Sequence, residues 1–271
     1  THYRIEQKAM QFEQAGIPVR VFSHGDVQNF VDSLIGARAA IFYRVPAVPA
    51  ILRAIQHANA MGLETYYEID DLIFDAQVYP DPFASFEGQI SILEYAGLIF
   101  GVPLFRYAMA MCTGTVASTP ALAAKMKSIA GGGAGTSIVV RNGLDARNEA
   151  MIRIGASPLR RSGDDARVRI FYGSGTKAHN ADFNRLAAPA LIDLMRLHSH
   201  VDLVVMGHLR PCDELAAMGA RIIAFPFTPD VTAYWSVLAS CDINLAVLEP
   251  GPVADCKSEI KWLEAAVLRI P

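Results

Sequence analysis

The stretch Ala39–Ile69, AAIFYRVPAVPAILRAIQHANAMGLETYYEI, reads as strand, helix, strand. Ala39–Tyr43 is a continuous apolar run, as the buried strands of parallel sheets are. Val48–Met61 has helical spacing and closes on Gly62. Thr65–Ile69 is the next strand, and it delivers Asp70, Asp71 and Asp75 to its C-terminal end.

The same alternation extends outward in both directions. Toward the N-terminus lie a helix at Tyr3–Ala15, a short strand at Val19–Phe22 and a helix at Val27–Leu34. Toward the C-terminus come strand Gly114–Ala117, helix Ala121–Ile129 opened by Ser118-Thr119-Pro120, and strand Ser137–Val140. The stretch 146–166 is polar, carries RR and GDD, and reads as a linker with a frayed helix. A second series follows: strand Val168–Phe171, helix Phe183–His198, strands Asp202–Met206 and Ile222–Ala224, helix Val231–Ala239 and strand Ile243–Val247. Its last element is a helix within Cys256–Pro271, with Ser258 as N-cap. Alternating strands and helices predict an α/β protein with mostly parallel sheets in both halves. The expected domains are 1–145 and 167–271, joined by 146–166. The chain opens on a helix and stops at Ile270-Pro271, where a further strand is due, so it reads as truncated at both ends.

Composition narrows the function classes. A chain of 271 residues, 52% hydrophobic, supports one large or two medium cores. A net charge of −3 argues against nucleic acid as a partner. Cys112, Cys212, Cys241 and Cys256 are scattered without CxxC pairs, the pattern of reduced thiols in a cytoplasmic protein. The apolar window Ile90–Cys112 contains Glu94, Pro103 and Arg106, which predicts a buried helix or helix pair rather than a membrane span. The seven histidines show no HExxH spacing, so no zinc site is expected.

Ligands of open parallel sheets sit at the C-terminal ends of the strands, and candidate residues cluster there. After the Val168 strand comes Tyr172-Gly-Ser-Gly-Thr-Lys-Ala-His179. Gly173 and Gly175 allow close backbone approach, and Thr176 and Lys177 suit a phosphate. A glycine turn with a surface lysine fits equally well. His179 is a candidate base or a loop anchor. Lys257, Ser258 and Glu259 start the closing helix, where a lysine opposes the helix dipole unless an anion is present. Glu264 falls in or beside that helix's apolar stripe (Ile260, Leu263, Val267), costly unless paired. It reads either as a snorkelling or loop-capping acid or as a ligand for hydroxyl groups. Asp70 and Asp71 suggest a metal site, a general base, a cap, or partners of Arg4 and Arg44.

Taken together, these stretches resemble the retaining nucleotide-sugar glycosyltransferases of the GT-B fold, the "glycosyl transferases group 1" type, and within it the bacterial surface-polysaccharide branch. The resemblance is carried by YRIEQK (Tyr3–Lys8), FYRVP (Phe42–Pro46), YEIDDLIFD (Tyr67–Asp75), STPALA (Ser118–Ala123) and VVRNGLD (Val139–Asp145). It continues with FYGSGTKAHNADF (Phe171–Phe183), CDINLAVLE (Cys241–Glu249) and KSEIKWLEAAVLRIP (Lys257–Pro271). It implies two Rossmann-like domains facing a cleft, the second binding the nucleotide sugar and the first the acceptor. Glu264 matches the second glutamate of the family's E-x7-E motif, the ribose ligand; Cys256 stands where the first is expected. Lys257 and Ser258 lie where the family's helix start meets the diphosphate, and Gly175, Thr176 and Lys177 lie in its phosphate loop.

The implied activity is transfer of a sugar from a UDP, GDP or dTDP donor to a glycan or lipid-linked acceptor, with retention and without a cofactor or dedicated metal. The catalytic candidates are Asp70, Asp71 and His179. Further transferase modules are expected partners, and peripheral contact with the inner face of a membrane is left open. Two other readings compete: a catalytically degenerate GT-B binding or scaffold module, and a nucleotide-sugar epimerase.

Overall fold

Parallel strands joined by helices build both halves of the chain, so the expected α/β class holds. The computed structural model describes residues 2–133, 135–146, 148–150 and 167–271. The stretch read as a linker, 146–166, lies outside the described residues apart from 146 and 148–150. The chain divides into two units. The first holds Thr1–Pro80, Ile92–Asn142 and Pro250–Ser258; the second holds Asp81–Ser91, Gly143–Glu249 and Glu259–Pro271.

In the first unit, β1 (Ala39–Tyr43), β2 (Glu64–Glu68), β3 (Gly114–Ala117) and β4 (Thr136–Val139) lie side by side in that order, all parallel. Their helices are α1 (Gln7–Gln14), α2 (Val27–Asp32), α3 (Pro49–Ala60), α4 (Ile92–Met111) and α5 (Pro120–Lys127). Proline opens α3, where a missing N–H costs nothing. Ile51, Ala54, Ile55 and Ala58 then form its buried stripe, at helical spacing. Gly62 follows at φ +77, the left-handed turn-off that glycine adopts without strain. Thr119 caps α5 by accepting from Leu122 N at 3.2 Å.

Three expectations change here. The run Val19–Phe22 forms no strand; β1 has only β2 as a described neighbour, and Val21 stays 57% exposed. β1 is not buried on both faces: Ala40 and Phe42 point into the core while Ile41 is exposed. The window predicted as a buried helix or helix pair is one 20-residue helix, α4, running through Pro103. It is long and apolar enough to cross a membrane, yet it is mostly exposed. Val102, Ala108 and Met109 face the core, while Leu93, Phe100 and Tyr107 form a heptad-spaced outer stripe. An all-apolar run carries no periodic signal to say which face is covered.

In the second unit the sheet order is β7 (Ile222–Phe225), β6 (Val201–Gly207), β5 (Val168–Ser174), β8 (Ile243–Asn244), again parallel throughout. Its longer helices are α6 (Asn180–Leu186), α7 (Ala188–Leu197), α8 (Val231–Ala239) and α9 (Ile260–Val267). Side chains alternate across this sheet with the period of two. Ile170, Tyr172, Leu203 and Val205 pack on one side with Phe183, Leu191 and Met195. Phe171, Val204 and Met206 pack on the other with Leu238 and Ala265. Each face is covered by helices, the doubly wound arrangement.

The predicted single helix Phe183–His198 is two, because Pro189 lacks an N–H and sets a new start just after Ala187. β5 runs three residues further than predicted, so Tyr172, Gly173 and Ser174 are strand rather than turn. β8 is shorter, only Ile243–Asn244. The closing segment is also divided. A short helix, Pro252–Cys256, ends at Lys257, whose ψ is 148°, and α9 begins beyond it. Ser258 is therefore not the N-cap. Glu259 holds that position, with no side-chain cap bond.

Candidate functional site

The carboxyl ends of β5, β6 and β7 bring together Ser174, Gly207 and Phe225. Gly207 has φ +112, and a Cβ there would sit 1.9 Å from the Ser174 carbonyl oxygen. Only glycine lets β5 and β6 close this tightly, and His208 N donates to the same carbonyl at 3.0 Å. Beside it lies a cavity of about 50 Å3, lined by Ser174, Gly175, Met206, Gly207, Phe227, Thr228 and Tyr234. The imidazole of His208 stacks on Phe227 at 5.0 Å and 17°. Half of Phe227 remains exposed, an aromatic face available to a planar ligand.

Glu264, on α9, is buried. Its Oε1 accepts a 3.0 Å hydrogen bond from Trp235 Nε1. Burial, then the nearby Glu264 charge, push the Tyr234 hydroxyl well above its ordinary pKa, so it stays a neutral donor. Gly173 is needed for that ring: a Cβ would lie 2.7 Å from the Tyr234 hydroxyl end. Burial and, secondarily, Asp182 raise Tyr172 to about 12. Lys261, in the first turn of α9, donates to the Gly173 carbonyl at 2.8 Å and stands 4.7 Å above the Tyr172 ring.

Thr176 precedes the 3-10 turn Lys177–His179, and its carbonyl accepts from Ser174 Oγ at 2.9 Å. His179 Nδ1 lies 3.9 Å from Asp182. The start of α6 is pinned by Asn180, which is buried, donates to Glu87 and accepts from Arg210 N at 2.6 Å.

The first unit carries a different cluster at its own strand ends. Arg44 follows β1 with φ +49, a left-handed conformation uncommon outside glycine. Its Nη1 lies 3.4 Å from both Asp70 and Asp71. Tyr43 donates to Asp70 at 3.3 Å, and Lys257 Nζ meets Asp71 at 3.1 Å. The acidic pair is thus held in ion pairs with Arg44 and Lys257. Arg4, expected as another partner, instead meets Glu68 at 2.6 Å. Ser258 Oγ accepts from Asn142 at 2.7 Å, and the Cys256 carbonyl accepts from Thr119 at 3.1 Å. Among the described residues no group of three or more His, Cys, Asp or Glu is gathered as for a metal ion.

The candidates therefore fall into two groups. Gly173, Gly175, Thr176, Lys177, His179, Glu259 and Glu264 belong to the second unit. Asp70, Asp71, Lys257 and Ser258 belong to the first. Trp235, Tyr234, Phe227 and Lys261 escape sequence reading. Trp235 and Lys261 make their contacts across tertiary structure, which no local spacing announces.

No protein-family model and no curated protein sequence matches the chain. Among solved structures it is similar to WaaG, a glycosyltransferase involved in lipopolysaccharide biosynthesis. The identity is 15%, covering 94% of this chain and 66% of that one, with a TM-score of 0.46. It is also similar to an alpha,alpha-trehalose 6-phosphate synthase from Burkholderia multivorans, at 10% identity over 87% and 58%, TM-score 0.47. A third is a putative UDP-N-acetylglucosamine 2-epimerase from Listeria monocytogenes, at 10% identity over 88% and 63%, TM-score 0.44. The chain spans less than two thirds of these structures' length, between 58% and 66%. These are likenesses of α/β arrangement; the reaction is argued below from this chain's own residues.

Proposed function

We propose that the chain is part of a sugar-nucleotide enzyme whose donor binds at the carboxyl edge of the β7-β6-β5-β8 sheet. The observation that carries this reading is Glu264. A buried carboxylate is costly unless it is fixed and put to use. Here one oxygen is held by the Trp235 indole, next to a tyrosine that lines a cavity at the strand ends. In this reading the carboxylate accepts hydrogen bonds from the vicinal hydroxyls of a ribose. Phe227 offers a face for a planar base, and the backbone of Thr176 and Lys177 a place for phosphate.

In this reading the reaction is glycosyl transfer with retention from a UDP, GDP or dTDP sugar to a glycan or lipid-linked acceptor. The bond to the leaving diphosphate breaks through an oxocarbenium-like state. Cationic and N–H donors stabilise the negative charge that develops. The degenerate binding module remains a second reading because Cys256 replaces an acid and its buried side chain packs into the first unit's core. The test is calorimetry of UDP, GDP and dTDP on the full-length protein, followed by an assay with the matching sugar donors. Nucleotide binding with transfer supports the proposal. Binding without turnover supports the degenerate module, and turnover without any acceptor supports an epimerase.

A further inference from the structure

We propose that the stretch Asp81–Ser91 is an autoinhibitory strap, one that bears on the turn assigned to phosphate above and lifts for the donor to bind. The inference rests on the nucleotide reading and concerns how that site opens. Asp81–Ser91 belongs to the second unit, although the chain on both sides of it belongs to the first. Its 3-10 turn, Phe83–Phe86, packs against the 3-10 turn Lys177–His179 and against α6. Glu87 fastens it there. One carboxylate oxygen, Oε2, accepts from the side-chain amides of both Asn180 and Asn184, the latter at 3.3 Å. The asparagines are fixed in turn: Asn180 Oδ1 accepts from Arg210 N at 2.6 Å, and Asn184 Oδ1 from Cys212 N at 3.0 Å. With the amide oxygens committed to the backbone, both NH2 groups are turned to Glu87.

Asn180 follows directly on the turn Lys177–His179, so the clasp sets a carboxylate beside that turn. Both of its donors are neutral amides. A diphosphate held at Thr176 and Lys177 therefore meets a like charge while the strap is down. The strap is also lightly anchored. Phe86 alone within it is buried, and Glu87 is exposed. Glu87 takes φ +49, left-handed backbone that a residue with a Cβ adopts only at a cost, so the clasp holds it against strain. A segment with one buried apolar side chain and hydrogen bonds that water can replace is of the kind that opens locally, without unfolding its domain.

The test compares full-length wild type with Glu87→Gln and Glu87→Ala. Calorimetry measures UDP, GDP and dTDP, and hydrogen exchange read by mass spectrometry follows the peptide that carries residues 81–91. A nucleotide that the wild type binds is expected to bind Glu87→Ala at least about threefold tighter, since apparent affinity rises with the fraction of competent state. Gln keeps an acceptor for the two asparagines, so it preserves packing if Ala unfolds, and it should fall between. Saturating nucleotide should speed exchange of the strap in the wild type. A nucleotide that binds only the variants supports the strap as well. Affinity unchanged or weakened in the folded variants overturns it and leaves the nucleotide site intact. Strap exchange that nucleotide slows or leaves unchanged also overturns it. If none of the three proteins binds any of the three nucleotides, the parent reading and this inference fall together.

Discussion

Arg4 and Glu68 are each 4% exposed, and they meet at 2.6 Å. Arg4 Nη1 also reaches the Val140 carbonyl at 2.5 Å and Asn142 at 3.1 Å. One guanidinium thereby ties the first helical turn to the end of β2 and to the chain after β4. Burial raises the Glu68 pKa from its ordinary 4.5, against the lowering effect of Arg4. A carboxyl with a raised folded pKa holds more protons folded than unfolded. Its contribution to stability therefore falls as pH rises from the unfolded value through the folded one. Arg4→Met should cost about 3–5 kcal/mol at pH 7, since it strands a buried carboxylate. The loss should shrink as pH falls and Glu68 becomes neutral; urea titrations at pH 7 and pH 4.5 check both. The cysteines give a second residue-level expectation. Cys112, Cys241 and Cys256 are buried, and burial pushes the Cys112 thiol to about 12, whereas Cys212 is partly exposed. Brief alkylation of the native protein, read by mass spectrometry, should modify Cys212 alone.

At the scale of elements, α4 is where exposure and composition disagree most. Phe100 on its outer stripe is 70% exposed, while Met109 on the inner side is fully buried. Phe100→Ser should change stability by no more than about 0.5 kcal/mol, as surface substitutions do. Met109→Ala should cost about 2–5 kcal/mol through the cavity it leaves. Thermal melts of the two variants separate an exposed face from a covered one. The same element shows what local sequence can and cannot convey. α3 was legible because its stripe has helical period and its ends carry Pro49 and Gly62. β3 was legible as a short run between breaks. α4's facing was not, because apolar side chains lie nearly all round it. Gly173 misled for the opposite reason. It reads as a turn residue, but it is glycine because the Tyr234 ring lies across β5. At the site, the suspicion that Glu264 needed a partner was available from its place in an apolar stripe. That the partner is Trp235, 29 residues upstream on another helix, was not. Nor did spacing reveal that Lys257 meets Asp71 or that Lys261 meets Gly173, since both bonds depend on how strands and helices assemble.

For the molecule as a whole, two parallel four-stranded sheets each present a polar carboxyl edge, and the two edges differ in character. In the first unit, cations and carboxylates are matched: Arg44 and Lys257 with Asp70 and Asp71. In the second unit the edge combines an aromatic face, a small cavity and a lysine bonded to a backbone carbonyl, while Glu264 is buried on α9 against Trp235. The proposal above assigns a nucleoside diphosphate to the second edge, and its central claim is that Glu264 grips the ribose. Calorimetric titration of the nucleotide into full-length wild type and Glu264→Ala tests it most directly. The account predicts a nucleoside diphosphate that binds the wild type, with affinity at least about tenfold weaker in a folded variant, through the lost hydroxyl contacts. No binding to the wild type, or equal affinity in the two proteins, would contradict it.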